Sequence, residues 1–182
     1  MDNKVLEWMT EENEWLNFAV ETQLFNHKPD PTVILTDPSI KTIISRVKDS
    51  NVGISALKTG KVSYTSTGNA FWDLFFLSDI GLNVEDIHIQ EEVNLLWELQ
   101  NGDGTFVVQD GTKSSYFCVP TIILASLSKM GYADDPHIQK FIDKVFETQR
   151  LDGGWHCAIN RANKKKLQDT ESCPMDNLNI LM

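Results

Sequence analysis

The stretch "ETQRLDGGWHC", Glu147–Cys157, reads as the end of a helix, a tight glycine turn, and a tryptophan backed by a histidine and a cysteine. A second stretch, "ELQNGDGTFVV", Glu98–Val108, repeats its outline at an offset of 49 (147 less 98). Gln149, Asp152 and Gly153 have counterparts in Gln100, Asp103 and Gly104, and Trp155 has one in Phe106. Glycine supplies the positive φ that a turn needs after a helix, and the aromatic ring supplies something to bury beside it. A short motif returning at a fixed long interval is the mark of a repeat architecture.

The helices before the turns repeat as well. "DPSIKTIISRV" from Asp37, "EDIHIQEEVNLL" from Glu85 and "DPHIQKFIDKV" from Asp135 place Ile40, Ile89 and Ile138 in register. Ile44, Val93 and Ile142 follow, then Val47, Leu96 and Val145. Steps of four and three residues put each trio on one helical face, with Asp37 or Asp135 as N-cap and proline in the first turn. His88 and His137 recur at one repeat position, which predicts a shared packing or capping role. A partner helix recurs in "FFLSDIGL", Phe75–Leu82, and "LASLSKMGY", Leu124–Tyr132, each ending at a glycine, Gly81 or Gly131. Pro120 and Pro174 are placed to open the equivalent helices. "TFVV" and "TVIL" are too short to suggest a sheet.

The expected fold is all-α, an α/α toroid of helix pairs about 49 residues apart, incomplete in this chain. It is a single domain over 1–182, with an N-terminal helix within 1–27 (Val5–Phe25) and helix pairs beginning near 37, 86 and 135. The helix opened by Pro174 stops short of a glycine end, so another chain or a continuing segment is expected to complete the ring.

Composition bounds the function. The chain of 182 residues is 41% apolar and 23% charged, which suits a globular core rather than disorder. A net charge of −10 argues against nucleic acid, whose phosphates demand lysine and arginine. No apolar run has the length of a membrane span, and the acidic start lacks the basic and apolar regions of a signal peptide. Three cysteines, an odd number, point to a reduced, cytoplasmic protein.

The gln-x-x-asp-gly-gly-trp turn after an amphipathic helix resembles the repeat of the prenyltransferase and squalene/oxidosqualene cyclase superfamily. Gln149, Asp152, Gly153, Gly154 and Trp155 match that motif, Gln100, Asp103, Gly104 and Phe106 match it with phenylalanine for tryptophan, and the copy around "KDSNVGISALKTG" has lost it. The resemblance implies a ring of inner helices inside a ring of outer ones, around a central cavity for an isoprenoid or other small apolar ligand. It implies cyclase or transferase chemistry too, but the asp-x-asp-asp acid of the cyclases and the asp-x-cys zinc pair of the prenyltransferases are both missing here.

The chemistry-bearing candidates are few. His156, Cys157 and Cys173, with Asp169 and Asp176 nearby, form an acceptable zinc donor set if the loop 158–172 closes on itself. That loop carries "NRANKKKLQDTES", a basic patch suited to an anionic group such as a diphosphate. Asp103, Asp152 and Cys118 are the catalytic candidates, the two aspartates at turns on the rim and Cys118 at the start of its helix. Trp8, Trp15, Phe18, Phe25, Phe71, Trp72, Phe75 and Phe76, at helical spacings, are core residues by default and pocket-lining residues in a terpenoid-handling protein. Two other functions fit a helical array: a non-catalytic scaffold whose concave face binds a peptide or protein, and an α/α-barrel hydrolase or lyase with two inward carboxylates.

Overall fold

A computed structural model describes residues 4, 5, 8, 13–49, 53–54, 70–106, 118–156 and 171–182. The described chain is helical, and among these residues the only extended pairing is a bridge between Gln100 and Phe106. In chain order the helices are α1 (Glu14–Gln23), α2 (Thr32–Leu35), α3 (Pro38–Lys48), α4 (Ala70–Asp79), α5 (Val84–Ile87), α6 (Gln90–Trp97), α7 (Cys118–Leu127), α8 (Pro136–Glu147) and α9 (Pro174–Ile180). No described helix is long and apolar enough to cross a membrane.

The difference between helix sequences sets their places. α4, "AFWDLFFLSD", and α7, "CVPTIILASL", are apolar nearly all round, so they need neighbours on several sides. They have them: α4 packs against α3 and α7, and α7 packs in turn against α9. α3 and α8 are amphipathic and offer one apolar stripe each. Ile40, Ile89 and Ile138 are all buried, as are Val47, Leu96 and Val145, and all six belong to one hydrophobic cluster with Phe71, Leu74, Leu77, Ile122, Phe106 and Trp155. The middle trio departs from expectation. Val93 is buried and Ile44 half-buried, but Ile142 is 38% exposed on a face of α8 that no described element covers.

Local signals fix the helix starts. Asp37 accepts from the amides of Ser39 (2.7 Å) and Ile40 (3.1 Å), and Asp135 from that of His137 (2.8 Å). Caps of this kind stabilise a helix by about 1 kcal/mol each. Pro38, Pro136 and Pro174 occupy first-turn positions, where a missing N–H costs nothing. Pro120 instead sits third in α7, which opens at Cys118.

Four expectations are corrected. The segment from Glu85 does not begin one continuous helix. Asn83 and Asp86 form a reciprocal capping box that starts the separate turn α5, and His88, at φ +53°, ends it before α6 begins at Gln90. His88 therefore terminates a helix in the left-handed region, whereas His137 lies in the first turn of α8 and stacks on Trp97, so the two histidines share no role. The N-terminal helix closes earlier than Phe25: Leu24 caps α1 through Val20 O, and Asn26 turns the chain with φ +53°. Phe25 and Trp8 are then exposed, 45% and 76%, rather than core. Thr32–Leu35, the "TVIL" run, is a single helical turn.

Candidate functional site

The two glycine turns have one backbone design. In the first, the Gly104 amide donates to Asn101 O (3.0 Å) and the Asn101 amide to Thr105 O (2.7 Å); in the second, Gly153 donates to Arg150 O (2.9 Å) and Arg150 to Gly154 O (2.9 Å). Gly104 and Gly153 have φ of +89° and +85°. Each glutamine reaches across its own turn: Gln100 Nε2 donates to Gly104 O (3.1 Å) and Gln149 Nε2 to Gly153 O (2.7 Å). Phe106 and Trp155 both enter the common core.

The aspartates are employed within the turns. Asp103 accepts from the Thr105 amide (3.1 Å) and hydroxyl (2.6 Å). Asp152 accepts from the Gly154 amide (3.2 Å) and from the amide (2.9 Å) and hydroxyl (2.6 Å) of Ser172. These bonds hold both carboxyls below the usual aspartate range; the Thr105 hydroxyl is the main cause for Asp103 and the Ser172 hydroxyl for Asp152, with smaller help from Lys144 and Arg150. A general acid or base needs a pKa near working pH and a free face toward substrate. Asp103 and Asp152 have neither shifted upward nor turned toward a cavity, so their geometry is that of joints.

The designs differ in what they fasten. Gln100 Nε2 also donates to His137 O (2.8 Å), reaching into α8, and a Cβ on Gly104 would stand 2.5 Å from Lys140 O. The second turn is tied instead to α9, the Trp155 amide donating to Asn177 Oδ1 (2.7 Å) and the Cys173 amide to Trp155 O (2.7 Å), while the indole Nε1 donates back to Val145 O (2.7 Å) in α8. Gly154 stands where the first turn has Thr105, and a Cβ there would meet Ser172 at 2.6 Å. The hydroxyl that Thr105 gives its own turn is thus supplied to the second turn by Ser172, and glycine makes the room.

Of the zinc candidates, Cys157 and Asp169 lie outside the described residues. His156 is half-buried, Cys173 is the residue that precedes α9, and Asp176 is buried within α9. Among the described residues no three His, Cys, Asp or Glu side chains are grouped to hold a metal ion. The basic segment 161–166 is also outside the described residues, and of Cys118 only its place at the head of α7 is described.

One constellation escaped the sequence reading. Asp73, buried in the apolar helix α4, takes a two-pronged grip from Arg46 in the last turn of α3, Nε to Oδ2 at 2.7 Å and Nη2 to Oδ1 at 2.6 Å. Bonding to Asp73 raises the Arg46 pKa above its ordinary value. The only sequence signal was a lone aspartate in an apolar run. The pair locks α3 to α4, with both Asp73 oxygens engaged by Arg46.

Two hollows remain. One, of 500 Å³, lies between the α1–α2 loop and the α4–α5 turn, among His27, Lys28, Asp30, Asn83 and Asp86. Its carboxylates serve local turns, Asp30 accepting from the Thr32 amide (2.9 Å) and Asp86 from that of Asn83 (2.8 Å). The other, of 320 Å³, is an apolar groove between α7, α8 and α9. Leu124, Phe141, Val145 and Trp155 contribute to it, Phe146 and Leu181 border it, and Thr121, Ser128 and Asn179 are its polar members. Phe146 is 70% exposed and Leu181 77%. Comparison of the chain with protein-family models, curated proteins and solved structures finds no match.

Proposed function

We propose that this chain is a helix-pair repeat protein of the α/α-toroid kind, resembling the prenyltransferase and squalene/oxidosqualene cyclase superfamily, and that it binds an apolar molecule of isoprenoid character. The observation that carries this reading is the groove between α7, α8 and α9. Its volume of 320 Å³ falls in the range of small-molecule sites, roughly 300–1,000 Å³, which are mostly apolar with a few polar groups. Trp155, the signature residue of the resembling motif, is part of its wall. Binding, rather than cyclisation or transfer, is the function supported. The carboxylates proposed for acid–base work are committed to turns, and the lining residues supply apolar surface, two hydroxyls and an amide.

The test is a calorimetric titration with farnesol, a neutral isoprenoid alcohol, beside Leu124→Glu. Saturable binding by the wild type that disappears in the folded variant is the expected result. Absence of heat, together with no rise in melting temperature at saturating farnesol, would overturn the reading.

A further inference from the structure

We propose that Asn101 is a modification site: its side-chain amide is lost in a spontaneous reaction with the Gly102 main chain, and the isoaspartate that forms unfastens the first glycine turn from α8. Asn101–Gly102 is the one asparagine–glycine pair in the chain. The reaction asks three things of such a pair: a main-chain nitrogen free to attack, no side chain in its way, and access for water. The turn supplies all three. Asn101 and Gly102 are both exposed, and a Cβ on Gly102 would meet nothing within 4 Å beyond its chain neighbours. Among the described residues the Gly102 amide has no acceptor.

The surrounding turns set this pair apart. Aspartate–glycine pairs undergo the same ring closure, but the Gly104 amide after Asp103 is held by Asn101 O (3.0 Å), and the Gly153 amide after Asp152 by Arg150 O (2.9 Å). The second turn has Arg150 and Leu151 in place of Asn101 and Gly102, and an arginine offers no side-chain carbonyl to attack. Of the two turns, the first alone carries the reactive pair.

The steps balance with water as the co-reactant. Solvent base takes the Gly102 N–H proton, the nitrogen bonds to Asn101 Cγ, and the Cγ–Nδ2 bond breaks, releasing ammonia. Water then opens the cyclic imide. Addition at Cγ yields aspartate; addition at the main-chain carbonyl yields isoaspartate, whose chain runs through Cβ and Cγ.

Either product disturbs the turn. Asn101 Nδ2 donates to Thr105 Oγ1 (2.9 Å), whose own proton goes to Asp103 Oδ1 (2.6 Å). A carboxylate at position 101 has no proton to give, so two carboxylates then compete for one hydroxyl. Isoaspartate does more. It adds a methylene to the loop closed by the Asn101 amide on Thr105 O (2.7 Å), and it turns the carbonyl that Gly104 bonds into a free carboxylate. The longer loop has no room on the α8 side, where a Cβ on Gly104 would already stand 2.5 Å from Lys140 O. It moves outward and draws Gln100 from His137 O, the 2.8 Å bond that ties the turn to α8.

The test is ageing of the folded protein in mildly alkaline buffer. Peptide mass mapping reads the conversion of amide to acid, and enzymatic methylation reads isoaspartate. Wild type is compared with Gly102→Ala. Gly102 has neither a positive φ nor a close neighbour, so alanine leaves the turn intact while its methyl group hinders the attacking nitrogen. Asn101 is expected to convert faster than the asparagines of the described helices, faster still as pH rises, and severalfold more slowly in Gly102→Ala. The isoaspartate form, separated by its added negative charge, is expected to melt at a lower temperature than Asn101→Asp, which has the charge without the longer chain. An Asn101 that stays intact in the folded protein while converting in guanidinium, or a rate that Gly102→Ala leaves unchanged, would overturn the site. An isoaspartate form that melts with Asn101→Asp would overturn the unfastening.

Discussion

The turn Gln100–Phe106 and the turn Gln149–Trp155 share backbone hydrogen bonds, positive-φ glycines and a buried ring, yet they are fastened to different things. The first presses on α8 through Gln100 and the close approach of Gly104 to Lys140 O. The second leaves Gly153 open and holds α9 through Ser172 and Asn177. One scaffold thus accepts two solutions to a single requirement, a hydroxyl for the turn aspartate and a partner for the next helix. The lesson is that a motif specifies its own closure, while the neighbour it joins is written elsewhere in the chain.

Substitutions sharpen that comparison. Phe106→Ala and Trp155→Ala should be the most damaging, each costing roughly 3–5 kcal/mol in urea unfolding, because both rings fill a shared core that does not collapse around a void. Asn177→Ala comes next. It strands the Trp155 amide away from its acceptor, and a loss of roughly 1–3 kcal/mol is expected. Gln100→Ala should cost about 1 kcal/mol or somewhat more, since it removes a tie to α8, and Gln149→Ala a few tenths, since its bond is exposed and local. Equal losses for the two glutamines would break the comparison.

The smallest effect is one of pH. Asp103 and Asp152 have folded pKa values lowered from 3.8, so the unfolded chain takes up protons first as pH falls. Their stabilisation is complete above the unfolded value, near pH 4, and is lost as pH drops through the folded values below it. Asp103→Asn and Asp152→Asn should each lower the melting temperature slightly at neutral pH and flatten the acid limb of its profile, so that variant and wild type converge as pH falls.

Much of this was legible in the sequence where the cause was local. Asp37 and Asp135 announced their helices because a cap acts within three residues, and the trios from Ile40, Ile89 and Ile138 announced a face because period 3.6 is a local property. The middle helix was misread because the identity of His88-Ile89-Gln90 with His137-Ile138-Gln139 outweighed Asn83, whose capping box starts a turn of its own. Non-local facts stayed hidden. Nothing near Asp73 named Arg46 as its partner, and nothing near Ile142 or Phe146 told that no described element would cover that face of α8. Trp8 and Phe25 fit a helical stripe, but a stripe gives a direction and does not supply something to pack against.

The most direct test of the claim that the two turns are structural joints, clamped on different partners, is equilibrium urea unfolding of Gly104→Ala beside Gly153→Ala. Both substitutions strain a left-handed backbone position, at about 1 kcal/mol each. Only Gly104→Ala also drives a methyl group to 2.5 Å from Lys140 O, so it should be the more destabilising by at least about 1 kcal/mol. Equal losses, or a larger loss for Gly153→Ala, would contradict the account.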